Sequence, residues 1–146
     1  MVKLLTHEQF LEAELRKAKD WDGWDGIQCV DAVKMYSEKV HGIKLWTFWG
    51  SARAGWLNKS KTFDLKKLVR VPNTPTGIPP QGAIIFFDEP ALTGHTAIVH
   101  SADINDIINI ELNGATGNGE GKGYDALNFE VKRDYRKCLG WYYPKK

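Results

Sequence analysis

Cysteine is scarce in this chain, and long apolar runs are missing. Cys29 and Cys138 are the only two cysteines in 146 residues, so a disulfide framework is excluded and free thiols are the expectation. The opening stretch MVKLLTHEQFLEAEL returns to polar residues directly after Leu4 and Leu5. This apolar run is too short for a signal peptide or a membrane span, so we expect a chain without an export signal or a membrane partner.

A strong excess of charge of one sign is also missing. The 20 lysines and arginines are balanced by 18 aspartates and glutamates, which leaves a formal net charge of +2. Because the basic residues are scattered, binding to the phosphate backbone of a nucleic acid has little electrostatic support. The chain is close to the commonest size of a single domain, and we expect residues 1–146 to form one domain with its own core.

Helical patterns dominate the first part of the chain. Thr6 and Gln9 form a capping-box pattern ahead of a predicted helix over about residues 7–18. A second helix is predicted to begin at or near Cys29, because apolar residues recur from there at helical spacing, and to end at Gly42. The stretch WTFWGSARAGWLN predicts a short helix or turn, and TFDLKKLVRV predicts a turn followed by an extended segment.

Strand patterns dominate the remainder, after the loop PNTPTGIPPQG. Runs of β-branched and aromatic residues predict strands at residues 83–87, 95–101, 107–112 and 136–143. Helices followed by an antiparallel sheet are typical of an α+β fold.

Cys29 is the best candidate for a nucleophile. A thiol attacks only as a thiolate, and a helix N-terminus or a neighbouring histidine is the usual means of obtaining one. Cys29 lies at the N-terminus of the second predicted helix. His95 is the best-placed histidine because it begins a strand after a glycine turn; His100 should point to the opposite face of that strand, and His7 and His41 belong to helix ends.

A third group is needed to orient the imidazole of His95. Glu111 and Asn113 share a face at the end of the following strand. Each of these residues also has an ordinary structural interpretation, and for Cys138 we favour that interpretation, a small buried hydrophobe. For the others, the order of cysteine, histidine and carboxylate favours acyl-transfer chemistry.

The stretch DWDGWDGIQCVD, residues 20–31, has the ligand spacing of a calcium-binding loop. The predicted ligands, at loop positions 1, 3, 5, 7 and 12, are Asp20, Asp22, Trp24, Gly26 and Asp31. An EF-hand has glycine at position 6 and a bidentate glutamate at position 12, and this chain has aspartate at both. We therefore predict a calcium site of similar spacing, with a solvated acidic turn that caps the second helix as the alternative.

Three blocks of the chain resemble the signatures of the CHAP family, the cysteine, histidine-dependent amidohydrolases and peptidases. The blocks are GIQCVDAV around Cys29, GHTAIV around His95, and IELN, which contains Glu111 and Asn113. The run PPQGAIIFF resembles a further family segment, and the resemblance extends over roughly residues 20–143.

The resemblance implies a papain-like α+β fold of the NlpC/P60 type and hydrolysis of an amide bond in bacterial peptidoglycan, without an organic cofactor. Cys29 would attack the carbonyl, His95 would transfer the proton and Glu111 would orient the imidazolium. The backbone N–H of Cys29 is the natural oxyanion donor, with Gln28 or Asn113 as candidates for a second donor or a support of the histidine. Some endolysins of the family carry calcium just ahead of the catalytic cysteine.

Many members of the family are bacteriophage endolysins, which implies synthesis in the host cytoplasm and action on the wall after release through a holin pore. A separate wall-binding domain or chain is a further expected partner. Two other functions stay open: a non-catalytic wall-binding module built on the six tryptophans and five tyrosines, and a cysteine peptidase that acts on proteins. The sequence does not select between an N-acetylmuramoyl-L-alanine amidase and a peptide-bridge endopeptidase.

Overall fold

The computed structural model describes residues 3–14, 29–45, 51–57, 66–89, 94–111 and 128–145. The helices are α1 (His7–Glu14), α2 (Cys29–Tyr36), which continues into a π-helical turn (Ser37–His41), and α3 (Ala52–Leu57). The strands are β1 (Leu68–Pro72), β2 (Ile84–Phe87), β3 (His95–Ala102), β4 (Asp106–Glu111), β5 (Asn128–Asp134) and β6 (Cys138–Pro144). They form one antiparallel sheet in the order β1-β6-β2-β3-β4-β5.

The predicted α+β architecture is confirmed. Each of the four strands predicted from β-branched and aromatic runs is present, with ends displaced by one or two residues, and the extended segment after TFDLKK is β1. The first helix is observed as far as Glu14, and the last part of its predicted range lies outside the described residues. Strand β5 is an addition that the sequence patterns did not predict.

Local sequence explains where the helices begin and end. At the start of α1, the backbone N–H of Gln9 donates to Thr6 Oγ1 at 3.1 Å and the N–H of Thr6 donates to Gln9 Oε1 at 2.9 Å, the reciprocal pair of a capping box. After α2, Gly42 adopts a φ of +70° and donates its N–H to the Ser37 carbonyl, which ends the helical segment as predicted. Within the described ranges, no helix has the length and apolar character that a bilayer crossing requires.

The sheet buries both of its faces. Side chains alternate along a strand, so one set packs under the helices and the other set packs on the opposite side. The helix-covered set includes Ile84, Phe86, Ile98, Ile110 and Tyr142. The opposite set, here called the inner cluster, includes Ala83, Ile85, Phe87, Ala97, Val99, Ile107, Cys138 and Trp141.

Curling of the sheet explains how the inner cluster is enclosed. Strands β5 and β6 are four strand spacings apart in the sheet, about 19 Å if it were flat, yet only residues 135–137 connect them. A link of that length spans at most about 14 Å, so the sheet must roll towards itself. Tyr135 in this link donates its hydroxyl to the Asp103 carbonyl at 2.6 Å, which joins the link to the turn between β3 and β4.

Candidate active site

Cys29 and His95 lie side by side because α2 packs against β3. Cys29 is the first residue of the helix and His95 is the first residue of the strand. Their side chains are close enough to interact, and each shifts the pKa of the other. Cys29 is half-buried, whereas His95 is only 6% exposed, so Cys29 is the more accessible residue of the pair.

Glu111 extends this row on the next strand. Its Oε1 lies 2.9 Å from Nε2 of His95, and the residue is fully buried. Because Nε2 of the imidazole faces Glu111, Nδ1 is the nitrogen left for the thiol. The structure thus brings the three residues together in the order thiol, imidazole, carboxylate, which is the arrangement of a nucleophile, its base and the group that orients the base.

The ionisation of the three groups is strongly coupled. Burial by itself raises the pKa of the Cys29 thiol, but the hydrogen bond and charge of His95 outweigh it and the pKa falls below its ordinary value. Burial lowers the pKa of His95, but hydrogen bonds with Cys29 and Glu111 raise it to about 9. For Glu111, burial raises the pKa, but hydrogen bonds from Arg133 and His95 bring it to about 2. These directions favour a thiolate–imidazolium pair beside an ionised carboxylate at neutral pH.

Two neighbours of Glu111 were not predicted from the sequence. Asn109 donates its Nδ2 to Glu111 Oε2 at 3.0 Å. Arg133 places Nε 2.6 Å from Oε2 and Nη2 2.7 Å from Oε1 of the same carboxylate. Arg133 lies on β5. In the sequence NFEVKRD, the apolar residues Phe129 and Val131 occupy alternate positions, and Arg133 occupies the next position in that series. This alternation was the sequence signal that could have placed Arg133 on the same side of the strand as the apolar residues.

Several predicted site residues lie outside the described part of the chain. They are Gln28, Asn113 and four of the five predicted calcium ligands, Asp20, Asp22, Trp24 and Gly26. The fifth, Asp31, lies in the first turn of α2 and is 1% exposed. Among the residues that the structure describes, no three histidine, cysteine, aspartate or glutamate side chains are grouped so that they could hold a metal ion.

The remaining cysteine and histidines have structural roles. Cys138 belongs to the inner cluster, and burial raises the pKa of its thiol to about 12, in agreement with its interpretation as a buried hydrophobe. His100 is turned away from the site, with Nδ1 at 2.9 Å from Nε2 of His7 on α1. His41 donates Nε2–H to the Gly82 carbonyl at 2.8 Å. These contacts attach the helices to the sheet.

Comparisons with known proteins agree with this geometry. The sequence profile of the CHAP domain matches residues 18–113, a range that contains Cys29, His95 and Glu111. Comparison with curated proteins gives no match. Among solved structures, the chain is similar to the crystal structure of a wild type endolysin, LysIME-EF1, with a TM-score of 0.65 and 20% sequence identity.

The likeness to this endolysin covers 92% of the present chain and 61% of the other. At this level of identity it is evidence for the fold, and the chain spans less than two thirds of the endolysin's length. The profile match covers well over half of the chain and includes the blocks around its cysteine and histidine. This chain therefore belongs to the CHAP domain family.

Proposed function

We propose that this protein is a peptidoglycan hydrolase that cleaves an amide bond with the Cys29 thiolate as nucleophile. The observation that carries the proposal is the row of adjacent side chains of Cys29, His95 and Glu111 within the range matched by the family profile. Membership of the CHAP family and the fold shared with an endolysin support bacterial peptidoglycan as the substrate.

The proposed reaction has two stages. Sγ of Cys29 attacks the scissile carbonyl carbon, and a C–S bond forms while the carbonyl π electrons move to oxygen. The tetrahedral intermediate then collapses, the C–N bond breaks, and His95 gives its proton to the leaving nitrogen. In the second stage His95 takes a proton from water, and the resulting hydroxide hydrolyses the thioester to a carboxylic acid and free Cys29.

We propose that the backbone N–H of Cys29 stabilises the oxyanion. The first amides of a helix have no partner within the helix, and their dipoles favour negative charge. Cys29 is the first residue of α2, so its N–H lies beside the attacking sulfur and suits the oxygen of the intermediate. Gln28 or Asn113 remains the candidate for the second donor.

Digestion of purified Gram-positive peptidoglycan tests the proposed function. We expect release of soluble fragments together with new amino groups, and mass spectrometry of those fragments identifies the bond. An amidase separates stem peptides from the glycan, whereas an endopeptidase leaves peptides attached to it. Binding to the walls without release would instead indicate a wall-binding module, and digestion of casein without release would indicate a peptidase of proteins.

The pH dependence of the initial rate is expected to be bell-shaped. The rate should rise at acidic pH as the Cys29 thiol ionises. It should fall near pH 9, because His95, with a pKa of about 9, loses the proton that the leaving nitrogen needs. Initial rates of wall digestion at constant ionic strength measure both limbs. A rate that stays constant into strongly alkaline solution would contradict the thiolate–imidazolium pair.

We further propose that the acidic loop before α2 binds calcium as a structural ion. The support is the ligand spacing of Asp20, Asp22, Trp24, Gly26 and Asp31. Asp31 lies in the first turn of α2, and carboxylate and carbonyl oxygens are the ligands that Ca²⁺ prefers. Bound calcium would join the loop to the first turn of α2, two residues after Cys29.

Chelation is therefore expected to lower the rate of wall digestion and the melting temperature together. A saturating ligand at about 100 times its Kd stabilises the native state by about 2.7 kcal/mol. Calcium should restore both properties, and magnesium should restore them poorly because it demands a tighter octahedral shell. Asp22→Ala and Asp31→Ala should behave like the chelated protein, whereas Glu12→Ala, on the exposed side of α1, should not. Calorimetric titration without binding heat, combined with unchanged digestion, would refute the site.

A further inference from the structure

Arg133 completes the hydrogen bonding of the Glu111 carboxylate. A carboxylate offers about four acceptor positions in its plane. His95 Nε2 and Arg133 Nη2 lie 2.9 and 2.7 Å from Oε1, while Arg133 Nε and Asn109 Nδ2 lie 2.6 and 3.0 Å from Oε2. All four positions are thus occupied, and two of them by one rigid guanidinium fork. Rotation of the carboxylate away from His95 would break several bonds at once.

Phe87 supports the two cationic groups that contact Glu111. Its ring stacks on the imidazole of His95, with centroids 6.4 Å apart and planes inclined by 28°. The Cζ atom of Arg133 lies 5.1 Å from the centroid of the same ring, within the range of a cation–π contact. Phe87 is 2% exposed, so this aromatic surface is fixed by the inner cluster and holds both groups in place.

Charge balance gives Arg133 a second effect. The Glu111 carboxylate is fully buried, and a buried charge is costly unless a group of opposite charge lies beside it. The guanidinium of Arg133 is that group. Burial lowers the pKa of Arg133, but the hydrogen bonds and charge of Glu111, together with the charge of Glu89, raise it overall, so the guanidinium stays charged beside the carboxylate.

We infer that Arg133 is a positioning residue for the thiol reaction: its guanidinium fork fixes the Glu111 carboxylate towards Nε2 of His95 and balances the charge of that carboxylate. The inference rests on the proposed function, because it assigns a role within the same reaction. Arg133 acts through Glu111, and it is half-buried behind the carboxylate, with 26% of its side chain exposed.

Substitution of Arg133 separates its geometric effect from its electrostatic effect. In Arg133→Gln we expect kcat to fall about 10- to 100-fold, with KM nearly unchanged. Arg133→Lys retains the charge without the planar fork, so kcat should be recovered only in part, with KM again nearly unchanged.

Arg70→Gln is the matched control. Arg70 also stacks on an aromatic ring, with Cζ 3.7 Å from the centroid of Trp56, and donates two hydrogen bonds to the Trp56 carbonyl. The substitution removes the same charge from the same sheet at a distance from Glu111. It should leave kcat and KM unchanged, and circular dichroism at the assay temperature verifies that each variant is folded.

A double variant keeps the test valid if Arg133→Gln alone does not fold. Glu111→Gln combined with Arg133→Gln leaves no unpaired buried charge. If Arg133 acts through Glu111, the double variant should have the kcat of Glu111→Gln alone. A further tenfold loss in the double variant, or a wild-type kcat in folded Arg133→Gln, would overturn the inference. Persistence of activity in Cys29→Ala would instead refute the proposed function itself.

Discussion

Alanine in place of Cys29 is expected to abolish wall digestion, with a rate lower by a factor on the order of 10⁴ or more. The substitution removes the proposed nucleophile, and no hydroxyl or thiol replaces it. Alanine is a favourable residue for a helix, and Cys29 is only half-buried at the start of α2, so the fold should persist. Initial rates on purified peptidoglycan measure the loss, and thermal unfolding verifies the structure.

His95→Ala should cause a loss of similar size, because nucleophile and base act as one unit. For the same reason, the double variant should be hardly slower than either single variant. Cys138→Ala is the control: its thiol lies in the inner cluster, and burial raises its pKa to about 12, so the rate should be retained at temperatures where the variant is folded. Retention by Cys29→Ala of more than about a tenth of the wild-type rate would exclude the thiol mechanism.

Gly140→Ala is expected to destabilise the fold more than any other small substitution considered, by about 3–5 kcal/mol. Gly140 has a φ of +149°, and a Cβ at this position would collide with the Trp56 ring, the Val71 carbonyl and the Pro72 Cα. Pairing of Gly140 with Pro72 across β6 and β1 fixes this backbone, so relief requires the two strands to separate. Urea unfolding, with the m-value compared between variants, measures the change.

Gly42→Ala provides the comparison for this prediction. Gly42 also has a positive φ, +70°, but its added Cβ would meet only the side chain of Leu4, at 3.2 Å. Leu4 is 46% exposed and can move aside, so the remaining cost is the left-handed backbone, about 1–2 kcal/mol. Equal losses of unfolding free energy in the two variants would show that glycine is required at position 140 because of its backbone conformation, and not because β1 and α3 approach it closely.

Local sequence was sufficient for the parts of the fold that depend on neighbouring residues. The capping box at Thr6 and Gln9 and the stop at Gly42 involve residues only a few positions apart, and the structure contains both. Local signals also placed Cys29 at the start of a helix and His95 at the start of a strand, and the resemblance to the CHAP family predicted that the two residues meet. Antiparallel pairing of β3 and β4 then brought Glu111 to the same end of the sheet.

The surroundings of Glu111 depend on pairing between distant residues, which local patterns do not reveal. Arg133 is 22 positions from Glu111 and reaches it only because β5 pairs with β4. His7 and His100 are 93 positions apart, and their contact requires α1 to pack on the sheet. An arginine on a mixed polar and apolar strand is ordinarily a solvated residue, so the sequence of β5, although it places Arg133 in phase with two apolar residues, does not identify Glu111 as its partner.

Two of the three register shifts in the described sheet restrict how the length of this chain can vary in evolution. His100 is an extra residue in β3 relative to β4, and β5 carries an extra residue relative to β4 between Asn128 and Val131. Side chains alternate in direction along a strand. Deletion of one residue between one of these extra residues and the active site would therefore turn His95, Glu111 or Arg133 to the opposite face of the sheet. A single-residue deletion there would be more harmful than many substitutions, whereas paired deletions would preserve the alternation. Functional descendants of this chain should therefore differ in length within their connecting loops and retain the residue count of β3, β4 and β5.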